Sequence, residues 1–211
     1  MMKINTTAIS AKFILLSTLI LSFTANASVM YETETNNSTS DAQSIESSFS
    51  TGYSANIENS DLSDWEWVSI QGTGDDTFDY YSFTAVAGQS YVFDSDLASY
   101  DSWLSLYDSN NNILSSIDDC HFNQNTYVDC GTIDSGSNTW LQPILEWTFA
   151  TSGTYFISNA RYCCNAEVPG GASYTLQVSR NMATAVPEPA ILALFGLGLA
   201  GLGFSRRKKS V

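Results

Sequence analysis

The chain between residues 65 and 180 predicts an all-β fold, an antiparallel β-sandwich of jelly-roll type. Three observations lead there. Aromatic and branched residues recur with period two, clusters rich in Gly, Asp and Asn punctuate them at short intervals, and no stretch between 28 and 180 carries a helical period. Many short strands without helices pack as sheet on sheet. Two apolar segments flank the domain, an expected signal peptide over 1–27 and an expected C-terminal transmembrane helix over 190–204.

At the N-terminus, Lys3 and Lys12 precede the apolar run Phe13–Leu21, and Ala25-Asn26-Ala27 follows. A basic start, an apolar run too short to span comfortably and small residues at the A-x-A positions describe a secretory signal, with cleavage after Ala27. Residues 28–64 are polar and are expected to wrap the surface or lead into a short first strand.

The strands then follow in order. Tyr81, Phe83 and Ala85 share one face, as do Tyr91 and Phe93; Leu104 and Leu106 alternate with Trp103, Ser105 and Tyr107. Leu145-Trp147-Phe149, Tyr155-Ile157 and Tyr174-Leu176-Val178 continue the pattern of half-buried strands. Gly72–Asp76, Ala87-Gly88-Gln89, Asp108–Asn112, Ser152-Gly153 and Pro169-Gly170-Gly171 are the turns between them. Residues 118–143 interrupt the rhythm and predict a disulfide-pinned loop insertion. Residues 181–186 read as a linker, closing a domain over 28–180.

Charge narrows the function. Residues 28–186 hold two cations, Arg161 and Arg180, against 21 acids, a net charge of −19. Such a surface repels phosphate backbones, so nucleic acid is excluded as a partner. It attracts divalent cations, or simply maintains solubility. Cys120, Cys130, Cys163 and Cys164 all lie in the exported part, where disulfides form; three pairings are open, including a vicinal Cys163–Cys164 bridge beside a Cys120–Cys130 loop. Their spacing, with His121, matches no zinc pattern.

Catalysis finds little support. His121 is the sole histidine, no Lys occurs in 28–186, and no nucleophile elbow is present. Carboxylates are abundant, but abundance is not a glycosidase signature. Asp108, Asn110, Asn112 and Asp119 match the spacing of an EF-hand loop, yet Ile113 stands where that loop needs Gly and Asp119 replaces the bidentate Glu, so a hairpin turn is expected. Trp65, Trp67 and Trp103 are expected in the core, the alternative being surfaces on which sugars stack.

Towards the C-terminus, Pro187-Glu188-Pro189 precedes fifteen uncharged residues, Ala190–Phe204, and then Arg206-Arg207-Lys208-Lys209. As a helix the apolar run is about 22 Å long, short against a hydrocarbon core of roughly 30 Å. The basic cluster holds that end on the cytoplasmic side. These three parts in this order over 187–209 resemble the PEP-CTERM sorting signal. The resemblance implies recognition of Pro187, Glu188 and Pro189 by an exosortase-type membrane peptidase, with Arg206 and Arg207 in the basic end. It also implies transient membrane anchoring and delivery to the cell surface or extracellular matrix.

Within the domain, Glu32-Thr33-Glu34-Thr35-Asn36-Asn37, the segment Asp76–Thr84, Ala87-Gly88, Leu104–Asp108, Ser152–Tyr155 and Tyr174–Leu176 resemble, in order, the motifs of bacterial pre-peptidase C-terminal (PPC) domains. That family implies a jelly-roll sandwich, and in some members a calcium ion. Its ligands here would be Glu32, Glu34, Asn36, Asn37, Asp76 and Asp79, which offer only oxygen donors; a solvated edge and turn is the alternative. The expectation is therefore a non-enzymatic envelope or matrix protein with a calcium-stabilised binding domain. A carbohydrate-binding module for exopolysaccharide and a secreted hydrolase stand as alternatives.

Overall fold

The computed structural model describes residues 29–183 apart from 125, 131–135, 137, 138, 140 and 163–165. The signal peptide, Cys163 and Cys164, the motif Pro187-Glu188-Pro189, the apolar run 190–204 and Arg206 and Arg207 lie outside the described residues. Among those described, no helix is long and apolar enough to cross a membrane.

Twelve strands among the described residues form two sheets: β1 (Val29–Tyr31), β2 (Gln43–Ser44), β3 (Trp65–Thr73), β4 (Asp79–Ala85), β5 (Ser90–Asp96), β6 (Ser102–Tyr107), β7 (Ile113–Ile117), β8 (Cys120–Asn123), β9 (Thr126–Cys130), β10 (Ile144–Thr148), β11 (Gly153–Arg161) and β12 (Ser173–Asn181). A seven-stranded sheet runs β1-β3-β12-β5-β10-β8-β9 and a five-stranded sheet β2-β4-β11-β6-β7. A single 3-10 turn, Glu46–Ser48, is the other regular element among the described residues.

The alternation predicted from sequence sorts the core. Tyr81, Phe83, Tyr91, Phe93, Leu104, Leu106, Leu145, Ile157, Leu176 and Val178 are all buried in one cluster between the sheets. Phe83 lies at its centre, with ring centroids 4.8 Å from Tyr91, 5.3 Å from Phe93 and 5.8 Å from Phe149. Trp67 is buried too, its indole N–H donating to the Gly52 carbonyl at 2.6 Å, whereas Trp65 and Trp103 are half-buried.

Two expectations are corrected. The sheets are mixed rather than antiparallel: β1 lies parallel to β3, β2 to β4 and β8 to β10. Strands joined by a tight hairpin must be antiparallel, whereas these three partners are joined by long connections that allow the other sense. Secondly, residues 118–143 are not all loop. They contain the β8–β9 hairpin, which extends the seven-stranded sheet, turns at Gln124 (φ 44°) and sets Cys120 opposite Cys130.

The N-terminal segment therefore changes sheets. It leaves the edge of one sheet at Tyr31 and reaches the edge of the other at Gln43, so residues 32–42 bridge the two edges at one end of the sandwich. The Glu32–Asn37 segment sits on that bridge.

Candidate metal centre

β1 ends where Glu32 donates its N–H to the Gln71 carbonyl at 2.9 Å. This places the Glu32 side chain over the mouth of the sandwich, where four donors fix it. Oε1 accepts from Asn36 Nδ2 at 2.9 Å and lies 3.0 Å from the hydroxyls of both Tyr81 and Tyr174; Oε2 accepts from the Thr73 N–H at 2.7 Å. Tyr81 projects from β4 and Tyr174 from β12, one from each sheet. Tyr174 reaches its position because Gly72 faces it across β3: a Cβ at Gly72 would lie 2.1 Å from the ring. Burial, followed for Tyr81 by the Glu32 charge and for Tyr174 by the Tyr81 hydroxyl, drives both phenols well above their usual range, so they remain neutral donors.

Asp79, the first residue of β4, points inward beneath Glu32. Carboxylate oxygens of Glu32, Glu34 and Asp79 lie within 4.8 Å of one another. Asp79 is fully buried, and although the Tyr174 hydroxyl favours its charge, neither of its oxygens meets a donor at hydrogen-bonding geometry. Burial, and then the Glu32 charge, push its pKa up to about 8. Glu34 is more exposed; partial burial and the charges of Glu32 and Asp75 raise it as well.

Two further oxygens lack partners. Asn36 is fully buried, tied by its carbonyl to the Tyr80 N–H at 2.8 Å and by its amide nitrogen to Glu32, which leaves Oδ1 unbonded. Asn37 Oδ1, one residue on, is likewise buried and unbonded. A buried carboxylate and two buried amide oxygens without donors are expensive unless something electropositive joins them. Burial, and repulsion between charges this close, favour the protonated form of Asp79 when no cation is bound.

Asp76 takes another role. At φ 67° it turns its carboxylate to the loop before β12, accepting from the Gly170 N–H at 2.8 Å. Its neighbour Asp75 is the acid that bears on Glu34, and it accepts from the Thr77 hydroxyl. Four of the six residues singled out in the sequence, Glu32, Glu34, Asn36 and Asp79, thus lie at or beside the cluster; Asn37 follows Asn36 in the chain, and Asp76 caps a turn. Sequence reasoning missed Tyr81 and Tyr174. The available signal was tyrosine, not phenylalanine, at core-facing positions, because a buried hydroxyl requires a partner.

Other candidate clusters resolve differently. Asp108 caps its own hairpin turn, accepting from the N–H groups of Asn110 and Asn112 and from the Asn112 amide, which holds its carboxyl below the usual range. Asp119 stands beyond β7, and burial with the neighbouring charges of Asp118 and Asp101 raises it to about 6. His121 Nε2 lies 2.6 Å from Glu146 Oε1 on β10.

Comparison with known proteins adds the following. The family model of the PEP-CTERM protein-sorting motif matches residues 185–208. That match indicates export with a membrane-anchored sorting step and implies recognition by an exosortase-type membrane protease. No curated protein matches the chain. Among solved structures it is similar to Aeromonas hydrophila PliG, a periplasmic lysozyme inhibitor of g-type lysozyme, at 14% identity and a TM-score of 0.35, over 59% of this chain and 93% of that one. A likeness that distant bears on neither activity nor ligand.

Proposed function

We propose that this is an exported, non-enzymatic envelope or matrix protein whose sandwich is completed by a calcium ion that ties the N-terminal bridge to the strand ends. The observation that carries the proposal is Asp79, a fully buried carboxylate without a donor and within 4.8 Å of two further carboxylates. The donor set fits: Glu32, Glu34 and Asp79 would hold the ion, with Asn36 and Asn37 supplying amide oxygens. Calcium accepts six to eight such oxygens in flexible geometry, whereas magnesium requires a near-ideal octahedron. The bound ion would supply charge neutralisation, and the protein's own part is orientation: Tyr81, Tyr174 and Thr73 hold Glu32 in place.

In this reading the N-terminal signal is removed after Ala27, and the sorting tail is cut near Pro187-Glu188-Pro189. The PPC resemblance agrees with a calcium site, and the register that faces Cys120 with Cys130 supports a disulfide stapling the β8–β9 hairpin. Melting residues 28–186 in chelator and in millimolar calcium tests the proposal. Calcium raises the melting temperature of the native sequence and leaves Glu34→Ala unchanged; an equal response, or none in either, refutes the site.

A further inference from the structure

A groove of about 340 Å³ crosses the outward side of the seven-stranded sheet, beside the carboxylate cluster, with which it shares Gly72, Thr73 and Tyr174 but none of the carboxylates. Its floor follows from strand alternation. Gln71 and Thr73 on β3, and Ser173 and Thr175 on β12, alternate with the core-facing Ile70, Tyr174 and Leu176, so their side chains point away from the core. The register sets Tyr31 beside Gln71, Gln71 beside Thr175 and Thr73 beside Ser173, giving a continuous band of one amide and three hydroxyls.

Two apolar side chains stand at its ends. Tyr31 on the edge strand β1 is 68% exposed, and Leu97, just after β5 at φ 49°, is 51% exposed. From β1 across β3 and β12 to β5 is three inter-strand steps, about 14 Å. The Tyr31 backbone is held on both sides, by its pairing with Gln71 and by Gln43 Nε2 donating to its carbonyl at 3.0 Å. An exposed aromatic on a fixed backbone is a ready stacking surface that loses little entropy on binding.

We infer that this groove binds a neutral polysaccharide chain, with Tyr31 stacking on a sugar ring and the Gln71, Thr73, Ser173 and Thr175 side chains exchanging hydrogen bonds with its hydroxyls. Charge selects the ligand class. No charged side chain lines the groove, in a segment of net charge −19. A polyanion is repelled by the surroundings, and a basic peptide would find no carboxylate in the lining. A sugar polymer matches an uncharged, hydroxyl-rich floor with an aromatic wall. The inference goes beyond the calcium reading and does not require it, since β1 is held by its pairing with β3.

The test is isothermal titration of the exported protein with cellohexaose, laminarihexaose, mannohexaose and chitohexaose, with tri-galacturonate as the anionic counterpart. Saturable binding of at least one neutral hexaose is expected. Tyr31→Ala weakens it about tenfold, while Tyr31→Phe keeps it within about twofold because the ring face is retained. Neither variant alters the melting temperature or its calcium response, which separates loss of the groove from loss of the metal site. Absence of binding to all four neutral sugars overturns the inference. So does native-like binding by Tyr31→Ala, or tighter binding of tri-galacturonate.

Discussion

Tyr81 and Tyr174 reach across the sandwich from opposite sheets until their hydroxyl oxygens are 2.6 Å apart, and each lies 3.0 Å from the same oxygen of Glu32. A carboxylate contributed by the N-terminal segment is thereby bound to both layers of the core. Hydrogen bonds to a charged acceptor contribute about 1.5–3 kcal/mol each. Tyr81→Phe and Tyr174→Phe are each expected to destabilise by about 1–2 kcal/mol in urea unfolding, with the double variant less than additive because the two hydroxyls share one acceptor. Strict additivity would show that the triangle does not act as a unit.

Asp79 and Asp76 separate the metal reading from a structural one. Without a cation, the folded pKa of Asp79 (about 8) is above that of the unfolded chain. Folding therefore favours the protonated form, and stability falls as pH rises from about 4 towards 8. Asp79→Asn removes that loss: in chelator at pH 8 the variant melts several degrees higher than the native protein, and it no longer responds to calcium. Asp76→Ala, which loses only the cap on Gly170, melts lower but keeps the calcium response. Thermal melts at pH 5 and pH 8, with and without the ion, distinguish the two.

Arg180 is the one buried cation among the described residues, and it clamps the end of the sandwich opposite in character to the acidic mouth. Its guanidinium donates to Glu66 at 2.7 Å and to the Tyr91 hydroxyl at 2.8 Å, pairs with Glu46 at 2.9 Å and lies 3.8 Å from the Phe49 ring centroid. Arg180→Ala leaves that network unpaired and is expected to destabilise by about 3 kcal/mol or more. The pH signature has the opposite sign to that of Asp79. Hydrogen bonds from Thr84 and Arg180, together with the Arg180 charge, hold Glu46 below its usual range despite partial burial. The stability it contributes is present above about pH 4.5 and is lost on acidification through the lowered folded value. Acid titrations of Glu46→Gln and the native protein should converge at low pH.

Gly72 packs directly against the Tyr174 ring. A methyl group there would meet the Tyr174 ring at 2.1 Å and Tyr174 Oη at 2.4 Å, so the ring must shift and with it the donor to Glu32. Gly72→Ala is expected to lose about 1–3 kcal/mol of stability and to weaken the calcium response. The paired control Gly88→Ala sits in open space at φ 86°; it strains only its turn and keeps that response.

Much of the fold was legible in the sequence because alternation is a local property. Tyr81-Phe83-Ala85, Tyr91-Phe93 and Tyr174-Leu176-Val178 face the core as their period requires. The hairpin at Asp108–Asn112 follows from an Asx side chain that bonds its own backbone. Parallel pairing of β1, β2 and β8 was not legible, because the sense of a pairing between distant strands depends on the path of the connection and not on composition.

The candidate site divides along the same line. The sequence by itself determined the charge of the exported segment, the sorting motif at 185–208 and an N-terminal run of oxygen donors from Glu32 to Asn37. Only the tertiary structure decided which acids meet. Asp79 faces inward at the start of β4 and joins Glu32 and Glu34, while Asp76, three residues earlier, has left-handed φ and turns to Gly170. The two aspartates are alike in chemistry and close in sequence. What separates them is the direction of a side chain, set by backbone torsion and by the strand that follows, and the two sheets supply the hydroxyls that hold Glu32 above Asp79.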